Sequence, residues 1–259
     1  MKKFILDLVV VENEFINGSH FILKMTHNKP LPLMQPGQFV EIQIPHSTTS
    51  FLRRPISIHY VDTSKNQVWF LLQIKGEGTQ LLSQSKVGDI LNCILPLGNG
   101  FSVPAQFKRF SPLLVGGGVG TAPLLFLGAE LKKIGIQPVF LLGARDQDSV
   151  LQLNRFNKLG TTYVTTEDGS FGEKGYVINH SVLIDSTFDM IYTCGPKAMM
   201  VAVASYAKKN RINCEVSLEN HMACGVGACL CCVEPTKEGN LCVCKEGPVF
   251  NIEKLSWQI

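Results

Sequence analysis

The sequence predicts a β-barrel domain, then an α/β parallel-sheet nucleotide-binding domain, then a small cysteine-rich C-terminal domain. Three observations predict it: short β-rich runs up to about residue 97, an alternation of strand, glycine loop and helix from about residue 107, and six of the nine cysteines gathered after residue 220. The boundaries expected are 1–105, 106–215 and 216–259.

The first part reads as runs at 21–23, 38–44, 56–58 and 68–74, rich in Val, Ile and Phe, with turn signals Pro36-Gly37, Gly76-Glu77-Gly78 and Gly88-Asp89 between them. Evenly spaced strands of this kind favour a small antiparallel barrel. The second part alternates: a strand at 112–115, glycines, a helix at 122–134, a strand at 138–142, a strand at 190–192 and a helix at 198–209. Such alternation is the mark of βαβ units around a parallel sheet. The tail after 215 loses periodicity. About 40 residues cannot bury a core alone, so it needs a metal cluster or docking to hold its shape.

Composition narrows the function classes. Hydrophobic residues make up 45% and charged residues 17%, which excludes global disorder. A formal net charge of +3, with no run of Lys or Arg interleaved with aromatics, does not point to nucleic acid. The apolar stretch 112–129 is broken by Gly116-Gly117-Gly118, Gly120 and Pro123, so a strand, loop and helix suit it better than a membrane span. The start, Met1-Lys2-Lys3-Phe4, lacks a secretory core or cleavage site, and a cytoplasmic protein is expected.

The cysteines carry the strongest signal. Cys224 and Cys229 are separated by four residues, Cys229 and Cys232 by two, and Cys232 and Cys244 by eleven. A close trio with a distant fourth is the plant-type [2Fe–2S] spacing, because one loop can wrap a flat two-iron cluster. Gly225 and Gly227 fit the wrap by letting main-chain N–H groups approach the sulfurs. A tetrahedral zinc site is the alternative, although zinc ligands usually come as two close pairs. Cys231 and Cys242, beside the expected ligands, read as ordinary small residues and leave the assignment slightly open.

Arg54-Pro55-Ile56-Ser57 lies on a barrel strand, where a guanidinium can grip a pyrophosphate and a serine hydroxyl can reach a flavin edge. A surface arginine and a ladder serine are the bland reading of those residues. Leu71-Leu72-Gln73 on a neighbouring strand, Gly78-Thr79 opening a helix, and the tight loop Pro96-Leu97-Gly98-Asn99-Gly100-Phe101 shift the balance towards flavin. The loop Gly116-Gly117-Gly118-Val119-Gly120-Thr121 lacks the usual Gly-x-Gly-x-x-Gly order, but its strand-to-helix setting places Gly117, Gly118, Gly120 and Thr121 where nucleotide phosphates bind. Cys194-Gly195-Pro196 ends another strand before a helix, where open α/β sheets hold ligands. For Cys194, a buried small residue is an equal reading. Arg145 favours NADP and its neighbours Asp146 and Asp148 favour NAD. No side chain is assigned a catalytic role.

In order, Arg54-Pro55-Ile56-Ser57, the loop from Gly116 and Cys194-Gly195-Pro196 resemble the ferredoxin reductase family of flavoproteins. Adding Glu219-Asn220-His221-Met222-Ala223-Cys224-Gly225-Val226-Gly227-Ala228-Cys229 and Cys244-Lys245-Glu246-Gly247-Pro248-Val249-Phe250 narrows the resemblance to the electron-transfer subunits of two-subunit bacterial dihydroorotate dehydrogenases. That resemblance covers nearly the whole chain and implies FAD on the barrel, contacted by Arg54, Pro55, Ile56, Ser57, Leu71, Leu72, Gln73, Gly78 and Thr79. It also implies a [2Fe–2S] cluster on Cys224, Cys229, Cys232 and Cys244, and NAD rather than NADP as the nucleotide. The implied partner is an FMN-containing catalytic subunit, two copies of each forming a heterotetramer in pyrimidine biosynthesis. Cys231 departs from the glycine expected there. A related reductase subunit serving sulfide, ferredoxin or hydrogenase chemistry is the alternative.

Overall fold

The first strand, β1 (Phe4–Asn17), alternates more and less exposed residues along much of its length, the period of two that a half-buried strand requires. Its charged residues are matched across the ladder. Lys24 of β2 (His20–Thr26) reaches Glu12 at 2.8 Å and Glu14 at 3.2 Å. With β3 (Phe39–Ile42), β4 (Arg54–Asp62), β5 (Gln67–Gln73) and β6 (Ile90–Leu97), these strands form a closed barrel in the order β1-β2-β5-β4-β3-β6. Closure leaves no unpaired sheet edge. Leu8, Leu23, Ile42, Ile58, Phe70 and Leu95 are wholly buried, each contributing about 2 kcal/mol of hydrophobic stabilisation. A short helix, α1 (Glu77–Ser83), follows β5.

These are features of a computed structural model that describes residues 2–45, 47, 49–103 and 110–259. The chain divides into two units. The first comprises residues 1–100, 220–234 and 240–248, and the second residues 101–219, 235–239 and 249–259. The segment expected as a separate cluster domain is thus shared between the two units. The expected boundary at 105/106 lies outside the described residues.

The second unit is built on a sheet that begins with β7 (Pro112–Gly117), a 3₁₀ turn (Gly118–Thr121) and α2 (Ala122–Lys133). It continues through β8 (Val139–Ala144), α3 (Leu153–Asn157), β9 (Thr161–Thr166), β10 (Glu173–Lys174), α4 (Val182–Asp185), β11 (Met190–Cys194), α5 (Lys197–Lys209) and β12 (Asn213–Ser217). The tail then forms β13 (Val233–Thr236), β14 (Gly239–Cys242), the helical turn α6 (Val243–Glu246) and β15 (Val249–Asn251). The sheet order is β10-β9-β8-β7-β11-β12-β15, parallel throughout except for β15, which pairs antiparallel with β12.

This arrangement accounts for the apolar stretch 112–129. All six residues of β7 are buried in the middle of the sheet, and α2 buries every residue from Ala122 to Ala129. A central parallel strand covered on both faces reads as a continuous hydrophobic run. Among the described residues no helix is long and apolar enough to cross a membrane.

Candidate cofactor sites

The cysteine loop has no regular secondary structure from Leu218 to Cys232, yet its sulfurs are not left bare. The N–H groups of Val226 and Ala228 donate to Cys224 Sγ at 3.4 and 3.3 Å. Gly227 N–H donates to Cys244 Sγ at 3.1 Å and Cys244 N–H to Cys232 Sγ at 3.3 Å. Residues distant in sequence are thereby drawn into one network. Main-chain N–H groups aimed at sulfur stabilise a negatively charged thiolate centre, so the donor set fits a cluster held by four thiolates. Among the described residues no three His, Cys, Asp or Glu side chains converge on a single metal ion.

Burial raises the Cys224 thiol, but hydrogen bonds from the Val226, Cys229 and Ala228 amides and from the Cys229 side chain outweigh it and bring its pKa down to about 6. Cys244, buried beside Cys232, is pushed up to about 12. Cys229 and Cys231 are exposed, while Cys232, Cys242 and Cys244 are buried.

Two residues at this site carry no motif. Glu41 of β3 is wholly buried, and neither carboxylate oxygen has a hydrogen-bond partner among the described residues. Burial raises its pKa to about 7, against the lowering influence of Arg53. It lies against the cysteine loop: a methyl group placed on Gly225 would come within 2.5 Å of Glu41 Cγ, and Gly225 has φ +66°. That backbone conformation costs an L-residue about 1–2 kcal/mol, so both contact and conformation call for glycine. A lone charge inside the apolar run 38–44 is the signal that marks Glu41, since such residues are seldom fully buried unpaired. The second residue, Asn99, contacts the chain just after Cys244 through its side chain and main chain.

On the barrel, β4 carries the Arg54-Pro55-Ile56-Ser57 motif and pairs with β3, Ile42 opposite Arg54 and Phe39 opposite Ser57. Arg54 donates through Nη1 to Leu52 O at 2.6 Å and through Nη2 to Ser50 Oγ at 3.3 Å. Gly78 lies on its guanidinium, with room for a side chain closed off at 2.7 Å from Nε. Arg54 and Gly78, separate in sequence, thus form one surface. Arg53 is used differently, donating to the Asn92 carbonyl at 2.8 Å and to its side chain at 2.5 Å. Thr79 turns its hydroxyl to the main chain of Lys75 and Gly76 and so shapes the start of α1. Leu71 and Leu72 are buried side chains, which leaves their main chain and Gln73 for any ligand.

In the second unit, the loop after β7 and the loop after β11 meet. A methyl group on Gly120 would lie 2.5 Å from Gly195 Cα, and one on Gly117 would lie 2.7 Å from Met199 Sδ and 3.0 Å from Pro196 Cδ. Gly117 and Gly120 thus allow the close approach of the two loops. Gly118 takes φ +53°, and its carbonyl accepts a hydrogen bond from Thr121 Oγ1 at 2.9 Å. Cys194 is buried, its thiol held well above its ordinary pKa by burial and by Glu219, against a hydrogen bond with Ser217. Beyond β8, Arg145 is exposed and Asp146 accepts from Ser149 N–H at 2.9 Å. Gln147 N–H donates to Ser170 Oγ at 2.8 Å, joining the loops after β8 and β9.

Comparison with known proteins bears on both halves. Residues 219–256 match the iron–sulfur cluster binding domain of dihydroorotate dehydrogenase B, and residues 114–205 match an oxidoreductase NAD-binding domain. The chain is 38% identical over 254 residues to the dihydroorotate dehydrogenase B (NAD(+)) electron transfer subunit of Bacillus mycoides strain KBAB4, covering 95% of this chain and 96% of that one. It is 38% identical over 250 residues to the subunit of the same name from Fusobacterium nucleatum, covering 94% and 95%. Among solved structures, a chain of the NADH-dependent reduced ferredoxin-NADP oxidoreductase superposes with a TM-score of 0.85 at 28% identity, over 96% of this chain and 90% of that chain. The flavohem-like FAD/NAD binding domain of Vibrio cholerae nitric oxide dioxygenase shares the fold, with a TM-score of 0.68 at 20% identity over 81% and 97%. A reductase-like barrel and parallel sheet, cysteines at cluster spacing and this identity over nearly full length lead to one assignment: the chain belongs to the family of dihydroorotate dehydrogenase B electron transfer subunits.

Proposed function

We propose that this chain passes electrons between NAD(H), FAD and a [2Fe–2S] cluster, and onward to or from the FMN of a separate catalytic subunit that interconverts dihydroorotate and orotate in pyrimidine biosynthesis. The observation that carries the reading is the N–H to sulfur network around Cys224, Cys232 and Cys244, within a loop at plant-type spacing. Bound here, a flavin exchanges a hydride with the nicotinamide and the cluster moves its two electrons one at a time.

The chain's own residues bind and orient. Arg54 and Gly78 offer a cationic, close-approach surface for the flavin pyrophosphate, with Pro55, Ile56 and Ser57 continuing along the strand and Leu71, Leu72, Gln73 and Thr79 completing the contact. Gly117, Gly118, Gly120, Thr121, Cys194, Gly195 and Pro196 line the two loops assigned to NAD. Cys224, Cys229, Cys232 and Cys244 hold the cluster. The domain division follows the cofactors: FAD with 1–105, NAD with 106–215 and the cluster with 216–259. With no orotate site assigned to this chain, the partner is required, in a complex of two copies of each subunit. A thiolate-held cluster belongs in a reducing compartment, which supports a cytoplasmic location.

The test is reconstitution with the catalytic subunit. NADH-dependent reduction of orotate by the mixture, absent when either chain is omitted, is the expected result. Electron delivery to ferredoxin with none to orotate would overturn the assignment of partner.

A further inference from the structure

The loop from Gly98, counted from sequence among the features that favour flavin, carries none of the residues assigned to FAD, NAD or the cluster, and it follows directly on β6 of the barrel. Its Asn99 makes three hydrogen bonds to a single short stretch of chain. The main-chain N–H donates to Gly247 O at 2.6 Å, and Nδ2 donates to Glu246 O at 2.9 Å and to Lys245 O at 3.2 Å. Those carbonyls end α6, the turn that carries Cys244. The last carbonyls of a helix have no partner within it, and Asn99 supplies partners from 146 and 147 residues away.

The neighbouring residues press the two segments together. A methyl group on Gly98 would lie 2.5 Å from Pro248 Cδ and 2.7 Å from Gly247 O, so no side chain fits between loop and turn. On its other side Gly98 O accepts from Gln38 Nε2 at 2.9 Å. Gln38 adjoins β3, whose Phe39 pairs with Ser57 of the flavin motif. Hydrogen bonds therefore run without a break from the flavin strand through β3 and Gly98-Asn99 to the turn of Cys244, whose own N–H donates to Cys232 Sγ.

From this continuity we infer that Asn99 is a positioning residue for the cluster: it caps the turn bearing Cys244 and ties that ligand to the barrel strand beside the flavin motif. The inference rests on the reading of Cys224, Cys229, Cys232 and Cys244 as cluster ligands. Asn99 touches neither cofactor in this account. Its effect is on where Cys244 sits, and partners that orient a metal ligand commonly change metal retention by about 10–100-fold when removed.

The experiment compares wild type with N99D, N99A and N99Q as purified FAD- and iron-containing proteins. Asp keeps the size of Asn but turns an acceptor towards the two carbonyl oxygens of Lys245 and Glu246, Ala removes the side-chain cap, and Gln restores a donor. Three quantities are read: the rate of cluster bleaching under a chelator, the EPR line shape after dithionite, and hydrogen–deuterium exchange across 243–249. N99D and N99A should lose the cluster about tenfold faster, with an altered line shape and faster exchange across 243–249. FAD content and exchange in the β2 peptide should stay unchanged, and N99Q should recover much of the difference. If N99D does not fold, N99A against N99Q decides the same point. Wild-type bleaching, line shape and exchange in N99D or N99A, with iron present, would overturn the positioning role alone. Wild-type protein without iron would overturn the cluster reading and the inference with it.

Discussion

The two limbs that carry the four proposed cluster cysteines are built on different principles. Residues 220–230 have no helix or strand, and the limb takes its form from N–H groups that point at sulfur. Cys244 sits instead in a helical turn, 1% exposed, whose last carbonyls are held by Asn99 of the barrel. The first limb is ordered by N–H contacts from its own residues to sulfur, and the second by hydrogen bonds from Asn99. A cluster loop must open to be loaded, so a fixed limb on which the other can close is a reasonable division of labour.

The largest effect that bears on this contrast is expected from C229S, which removes a proposed ligand from the exposed limb. Iron should be lost and delivery to the partner should stop, while FAD content and NADH oxidation by artificial dyes continue. Partner-dependent turnover without iron would break the account. Removing the iron by chelation is the next largest. Exchange should rise across 220–232 while 243–249 keeps most of its protection, and equal deprotection of both limbs would erase the distinction drawn between them.

G225A asks whether the exposed limb also depends on the barrel. The positive φ alone costs about 1–2 kcal/mol, and the contact with Glu41 adds to it. Chemical denaturation of G225A, E41A and the double variant separates the two contributions, because E41A should relieve only the contact and leave the backbone cost. Strict additivity of the two changes would show that Glu41 and Gly225 do not interact. Away from the cluster, G120A should weaken NADH binding several-fold by pushing the two nucleotide loops apart, with iron content unchanged.

The smallest expected effect is a pH dependence. His180 is buried and its pKa is lowered by desolvation, in part offset by Glu173 at 3.5 Å. A histidine held neutral when folded stabilises the fold above its unfolded pKa of about 6.5, and that stability is lost as pH falls below it. Melting of the wild-type chain should drop in that window, and H180Q should flatten the drop. An unchanged profile in H180Q would assign the loss to other groups.

Much of the site was legible because it is local. Cys224, Cys229 and Cys232 fall within one loop, and the glycine loop after β7 joins a strand to the helix beside it, so spacing alone marks both. The strands at 21–23 and 68–74 were legible from their unbroken apolar runs. β1 was harder: Glu12 and Glu14 interrupt its pattern, and it takes Lys24 across the ladder to make them at home in a strand. What the sequence hid was pairing at a distance. Asn99 and Glu246 are 147 residues apart, and nothing in either neighbourhood names the other. β15 reads as part of the cysteine tail, yet it completes the edge of the parallel sheet on β12. Glu41 is similar, since its role is visible only once Gly225 is seen against it. The glycines of the nucleotide loop were legible from their strand-to-helix setting, but that Gly117 and Gly120 also let the loops after β7 and β11 meet is a contact between distant segments that spacing does not show.

The most direct test of the electron-transfer account is an anaerobic absorption and EPR spectrum of the purified chain with its catalytic partner, taken before and after adding NADH. The account predicts bleaching of a flavin band together with a new reduced [2Fe–2S] signal. A colourless, EPR-silent protein that contains zinc, under handling shown to preserve clusters, would contradict it.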